Sequence, residues 1–308
     1  MGSAELACAS LRALVDAEFC DVFAVVSQPD KRKGRDMKSQ PTPVGELAAK
    51  LGIMTFKPGR ARDAEFIETI QQLNPDLVVV VAYGQILPQA LLDIPKFGCL
   101  NVHTSILPKY RGAAPIQWAI VDGEPETGVT IMKMDAGLDT GDVVSEARTP
   151  ITPADNGQTL HDRLSAMGAE LLVKTVPGFV NGSVVPQAQP VEGSTYARKI
   201  LKQDGLIDWS RSAVAIFNQV RGFTPWPGAF TYLPDAKKPK LLKIWRVELV
   251  DLAKGAAGEV VESGGDSLVI GCGEGAIRVL ELQKEGSRRM TAREFLLGVT
   301  IDPGQRLD

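Results

Sequence analysis

At 308 residues the chain can bury a full core and has room for two domains. Its 44% hydrophobic and 23% charged residues describe an ordinary globular protein, with no apolar run approaching the roughly 18 residues of a membrane span. The net charge of −3 lacks the overall basic excess of many nucleic-acid binders, and four scattered cysteines with no CxxC pair imply neither a zinc site nor a disulfide framework.

The start, Met1-Gly2-Ser3-Ala4-Glu5, has no basic segment followed by an apolar one, so no signal peptide is read there and the cytosol is the expected compartment. Short β-branched runs then alternate with helical patterns. Val22–Val26, Leu77–Val81, Leu100–Val102 and Val129–Met134 read as buried strands, and Pro43–Leu51 and Asp63–Leu73 as helices. Such alternation predicts an α/β fold with a Rossmann-like parallel sheet covered on both faces, whose ligands bind beyond the strands' carboxyl ends. A basic island, Lys31-Arg32-Lys33-Gly34-Arg35-Asp36-Met37-Lys38, interrupts this acidic half. It is either a solvated loop or a phosphate-contacting one.

Thr159–Val180 reads as an amphipathic helix with Leu160, Leu164, Met167, Leu171, Leu172 and Val176 on one face. Residues 1–180 are therefore assigned to a catalytic domain, and the Pro/Gly/Gln/Ser-rich stretch 181–194 to a linker. From 195 to 308 the pattern changes. One helix, Ala213–Val220, is followed by strands at Leu241–Val250, Gly258–Glu262, Ser267–Gly271 and Ala276–Leu282, separated by Gly-rich turns. This spacing predicts a small antiparallel, OB-like barrel. The part 195–308 holds 17 basic and 14 acidic residues, against 17 and 23 in 1–194, so the positive excess sits in the second domain.

Two segments carry chemistry. In Asn101-Val-His103-Thr-Ser105-Ile-Leu-Pro108-Lys-Tyr-Arg111-Gly112-Ala-Ala-Pro115, Asn101 and His103 alternate on a strand end and face the same side. An Asn amide suits an oxyanion and a His can move protons. Taken alone, His103 is equally a structural imidazole, while His161, on a solvated helix beside Asp162, reads as structural or surface. In the second segment, Met134-Asp135-Ala136-Gly137-Leu138-Asp139-Thr140-Gly141-Asp142 ends a strand in a glycine-spaced acidic loop. It is a turn or a ligand loop, without the spacing of an EF-hand.

Together these strings resemble the folate-dependent formyltransferase family, over nearly the whole chain. The resemblance implies an Asn–His–Asp catalytic group of Asn101, His103 and Asp139, and 10-formyltetrahydrofolate as the formyl donor, without a metal. It also implies that Ser105, Ile106, Leu107 and Pro108 line the folate site. Ala82, Tyr83, Gly84, Ile86 and Leu87, with Asp135, Ala136, Gly137 and Leu138, would close around the pterin. The catalytic pattern by itself leaves purine, amino-sugar and aminoacyl-tRNA acceptors open. The loop from Ser27 to Pro43 resembles the insertion by which methionyl-tRNA formyltransferases read the tRNA acceptor end, with Arg35 and Lys38 on its basic positions; Asp36 and Met37 make it less basic than usual. Strings such as Arg221-Gly-Phe-Thr-Pro225-Trp226-Pro-Gly228 resemble the same branch's appended barrel. The resemblance thus implies initiator methionyl-tRNA as partner, with Lys199, Lys202, Arg221, Lys284, Arg288 and Arg289 as further tRNA candidates. Trp209 and Trp226 are expected in the core, and a monomer with no membrane association is expected. A small-amine formyltransferase, an inactive tRNA-binding homologue and a formate-releasing hydrolase are the alternatives. One departure stands out: members of the family carry a short apolar strand before the turn matched by Met1–Ala7. The sheet is therefore expected to lack its first strand, either because the start codon is placed a few residues late, the preferred reading, or because this is a truncated copy.

Overall fold

The computed structural model describes residues 1–33, 38–234, 239–251 and 255–307. The chain divides into two compact units, one of residues 1–115, 126–150 and 161–198, the other of residues 116–125, 151–160 and 199–308.

The first unit begins with α1 (Leu6–Val15), β1 (Ala24–Val26) and a hairpin of β2 (Lys31–Lys33) and β3 (Lys38–Gln40). Next come α2 (Pro43–Lys50), β4 (Met54–Phe56), α3 (Ala64–Leu73), β5 (Val78–Val80), α4 (Gln89–Leu92), β6 (Cys99–His103) and β7 (Arg111–Gly112). The expected helices thus form within a residue or two of their predicted ends. Thr42 caps α2 by accepting from Gly45 N–H at 3.0 Å, ahead of a proline at the first helical position. Asn74 ends α3 in a left-handed conformation that asparagine tolerates.

α5 (Pro115–Val121) is followed by β8 (Glu126–Lys133), β9 (Val143–Pro150), α6 (Gly157–Val180) and β10 (Tyr196–Ala197). The pairings are parallel for β1 with β4 and for β5 with β6, as the alternating pattern predicts. β8 and β9 then extend the sheet in the antiparallel sense, in the order β5-β6-β8-β9. A continuous apolar run reports burial on both faces and is silent about strand direction, which is why the mixed sheet was not predicted. The consequence for function is direct. β8 runs back alongside β6, so the ends of the two strands that carry the candidate chemistry lie at opposite sides of the sheet, and a loop must fold back to join them.

Gly2 N–H donates to Val26 O at 2.9 Å and Val81 N–H donates to Met1 O at 2.9 Å, so two residues link β1 to β5. Beside them lies an apolar cavity of about 690 Å³, lined by residues including Leu11, Leu14, Val25, Ile70, Val78 and Val176. Asn101, His103 and Asp139 do not line it. One core cluster of this unit gathers Val26, Phe66, Ile70, Val78, Val80, Leu91 and Cys99.

In the second unit α7 (Ala213–Gly222) precedes β11 (Ala229–Leu233), β12 (Lys240–Val250), β13 (Val260–Gly264), β14 (Ser267–Gly271), β15 (Ala276–Lys284), β16 (Met290–Thr291) and α8 (Ala292–Leu296). All its ladders are antiparallel, in the order β11-β12-β15-β14-β13 with β16 on β15. Its core includes Ile216, Leu242, Ile244, Val260, Ile270, Ile277, Leu282 and Phe295. Trp209 is 5% exposed and donates its indole N–H to Thr231, as expected of a core tryptophan. Trp226 is 57% exposed, which corrects the core expectation for that residue. It stands between Pro225 and Pro227 on the turn into β11, where no helix or strand period directs a side chain inward.

Candidate active site

β6 supplies the first two groups. Asn101 and His103 lie two residues apart on the strand and meet one carboxylate, Asp139. Asn101 Nδ2 donates to Asp139 Oδ1 at 3.4 Å, and His103 Nδ1 lies 3.7 Å from Asp139 Oδ2. His103 is 5% exposed, and its Nε2 meets the Tyr110 carbonyl at 2.9 Å. A carbonyl only accepts, so Nε2 carries the proton. Nδ1 therefore faces Asp139 as an acceptor when the ring is neutral and as a donor when it is cationic.

Asp139 reaches this position through the fold-back loop between β8 and β9. Its φ is 52°, in the left-handed region that aspartate visits more readily than most residues. Oδ2 accepts the Gly112 N–H at 2.8 Å. Gly141 anchors the loop's far end; a Cβ there would lie 1.8 Å from Lys133 O, so no other residue fits.

The segment after β6 is shaped by local polar contacts. Ser105 Oγ donates to Lys109 O at 2.6 Å, and Thr130 Oγ1 donates to Ser105 O while accepting Leu107 N–H. Ser105 and Thr130 are fully buried, so these bonds satisfy groups that water cannot reach. Tyr110 adopts φ 59°, which aims its carbonyl at His103. Gly112 follows at φ 111°.

The residues expected around a folate separate into two kinds. Ile86 is 81% exposed and Leu138 51%, two apolar side chains left open to solvent. Ala82, Gly84, Ala136 and Gly137 are exposed beside them in sequence, with φ values of 43° and 79° at Ala82 and Gly84. Asp135 folds its own loop, accepting from Gly137 N–H and Thr140 Oγ1. Ile106 and Pro108 are half-buried. Tyr83, Leu87, Leu107 and Ser105 are buried, and Tyr83 and Leu87 pack in the core of the unit. Burial also pushes the Tyr83 hydroxyl up to about 12. These four residues therefore present no exposed side chain at the expected folate site. Among the described residues no group of three or more His, Cys, Asp or Glu could hold a metal ion.

The RNA candidates also separate. Arg35 lies outside the described residues. Lys38, Lys199, Lys202, Arg288 and Arg289 are exposed and Lys284 is half-buried. Arg288 pairs with Glu294 at 2.6 Å and Arg289 with Glu281 at 2.5 Å. Arg221 is half-buried: its guanidinium donates to Asn218 Oδ1 and to the carbonyls of Thr152 and Asp155, and burial lowers its pKa. His161 pairs with its neighbour Asp162 at 2.9 Å on the surface of α6, as expected.

Sequence reasoning missed the part played by residues 181–198. Val143 and Gln187 form an antiparallel bridge, Tyr110 N–H donates to Thr195 Oγ1 at 2.8 Å, and β10 pairs in parallel with β7. Within the expected linker, 181–194, Gln187 is thus paired to β9, and the residues just after it, 195–197, pair beside the candidate site. Its composition hides this, because main-chain pairing needs no hydrophobic period.

The chain that brings one carboxylate, an amide and an imidazole together at the end of its α/β sheet has relatives. The formyl transferase pattern matches residues 2–176, and that of the formyl transferase C-terminal domain matches residues 199–300. The chain belongs to the formyl transferase family. It is 51% identical over 304 residues to the methionyl-tRNA formyltransferase of Citrifermentans bemidjiense, covering 99% of this chain and 94% of that one. It is 48% identical to the methionyl-tRNA formyltransferase of Geobacter sulfurreducens, covering 100% and 95%. Among solved structures, the N-formyltransferase of Helicobacter canadensis, in complex with folinic acid and dTDP-3-aminofucose, superposes with a TM-score of 0.65 at 21% identity, over 92% of this chain and 97% of that one. This last likeness is one of fold.

Proposed function

We propose that the chain transfers the formyl group of 10-formyltetrahydrofolate to the free amino group of methionyl-tRNA, acting in the cytosol as a monomer. The observation that carries the chemistry is the convergence of Asn101, His103 and Asp139. Identity of about half over the full length to methionyl-tRNA formyltransferases supports the acceptor. Exposed Ile86 and Leu138 fit a flat folate ring, and the short hairpin bearing Lys38 fits an RNA phosphate.

The neutral amine of the methionyl group attacks the formyl carbon, and the carbonyl electrons move to oxygen. Asn101 Nδ2 and the cationic His103 Nδ1 offer N–H groups to that oxyanion. Asp139 takes the proton released by the amine and returns it to the departing folate nitrogen as the oxyanion collapses and that C–N bond breaks. Formyl-methionyl-tRNA and tetrahydrofolate leave, with no net proton change. Holding both nitrogens against one carbon supplies much of the acceleration.

The test uses labelled 10-formyltetrahydrofolate and charged initiator tRNA. His103→Ala and Asp139→Asn are each expected to reduce kcat by about 10²- to 10⁴-fold while the circular dichroism spectrum persists. Near-parental turnover in either variant would overturn the catalytic assignment, and a higher kcat/KM for an amino sugar than for methionyl-tRNA would overturn the acceptor.

A further inference from the structure

Gln189 lies in the Pro/Gln-rich stretch after α6, and its side-chain amide is fully used. Nε2 donates to two carbonyls, Asp139 O at 2.8 Å and Gly141 O at 2.7 Å. Oε1 accepts from one guanidinium, Arg111 Nη2 at 2.6 Å and Nε at 3.2 Å. The amide thus spans the turn that presents Asp139, gripping it on both sides of Thr140.

These bonds close a ring. Asp139 Oδ2 accepts the N–H of Gly112. The residue before Gly112 is Arg111, whose side chain holds Gln189, and Gln189 returns to the main-chain carbonyl of Asp139. The side chain and the main chain of Asp139 are therefore tied to the same dipeptide by two separate routes. Such double fixing is what a left-handed aspartate needs, because sparsely populated backbone conformations persist only where their surroundings over-determine them. β10 pins the dipeptide in turn, through its pairing with Arg111–Gly112.

We infer that Gln189 is a positioning residue for Asp139, acting through the turn rather than by touching substrate, and that Arg111 orients its amide. This inference rests on the catalytic reading of Asp139. The amide is required because only it combines two N–H donors for the carbonyls with an acceptor for the guanidinium. A glutamate at 189 would keep the Arg111 pair and turn an oxygen toward two carbonyl oxygens. A methionine would keep the length and make neither set of bonds.

The experiment is a double-mutant cycle on the full chain with 10-formyltetrahydrofolate and methionyl-tRNA. Gln189→Met and Gln189→Glu are expected to lower kcat by about 10- to 100-fold, the scale of an ångström's misplacement of a catalytic group. The KM for methionyl-tRNA is expected to stay within about twofold, because the turn rather than the RNA surface is disturbed. In the Asp139→Asn background, adding Gln189→Met should cause no further loss, since both changes remove the same placed carboxylate. Parental kcat in both Gln189 variants, or losses that multiply in the double variant, would overturn the inference while leaving the role of Asp139 intact. Parental turnover of Asp139→Asn would sink both. If Gln189→Met does not fold, as read by its melting transition, Gln189→Glu carries the same comparison.

Discussion

Gly112 shows how closely the site's residues constrain one another. Its φ of 111° is a left-handed value that suits glycine, and a Cβ there would lie 2.6 Å from the Tyr196 ring and 2.8 Å from Ala197 O. Backbone on one side and a ring on the other leave a methyl group nowhere to go. Its N–H also donates to Asp139 Oδ2 at 2.8 Å. Gly112→Ala is therefore expected to destabilise the chain by about 1–3 kcal/mol, the usual range for an enforced strained conformation. It should also reduce kcat by about tenfold or more as the carboxylate shifts. Thermal melts and steady-state rates measured on one preparation check both. An alanine variant with the parental melt and rate would show that the close approach at Gly112 is dispensable.

Among the elements, α8 carries its stability at its first turn. Thr291 caps it by accepting Glu294 N–H at 3.2 Å, and the Glu294 carboxylate reaches back to Thr291 N–H at 2.9 Å. Arg288 first, and that N–H second, hold the Glu294 carboxyl down at about 2, against 4.5 ordinarily. A carboxyl depressed in the folded state binds fewer protons than in the unfolded state. Its stabilising effect is complete above about pH 4.5 and is lost as the pH falls through about 2. The Glu294 side-chain carbon resonance is expected to titrate near 2, and Glu294→Gln should remove that portion of the acid dependence. A midpoint close to 4.5 would contradict the cap. Elements also differed in how readable they were. β5 and β8 are rich in β-branched residues, β6 carries Leu100 and Val102, and α6 keeps its apolar face through Pro177, so these were visible in the residues. β9 was not. It is the outer strand of its sheet, and its Arg148, ion-paired with Glu146 on the same strand and with Glu126 on β8, gives it the charge that protects an edge and erases the apolar signature.

For the molecule as a whole, charge distribution matters more than the net of −3. Residues 195–308 are basic by three, and the hairpin of β2 and β3 adds a basic island to an otherwise acidic first half. Several of these cations are partly neutralised, since Arg246 and Arg289 both pair with Glu281. If phosphate contacts hold the acceptor, raising salt from about 50 to about 200 mM should increase the KM for methionyl-tRNA steeply, by tenfold or more, with little change in that for 10-formyltetrahydrofolate. A flat response for the RNA would argue that its recognition does not rest on these basic residues.

Residue order alone determined that the first half is an α/β sheet, that the last third is antiparallel, and that Asn101 and His103 share one face of a strand. Those are short-range properties, set by period and by β-branched runs. It also held the long strings on which the family likeness rests. What only the tertiary structure decided is which way β8 runs, how Asp139 returns to β6 through a left-handed turn, and that Gln189 and Arg111 grip that turn. These depend on main-chain hydrogen bonds between distant segments and on side-chain contacts such as that of Arg111 with Gln189, 78 residues apart. Such bonds are directional and local in space, and they leave no period along the chain.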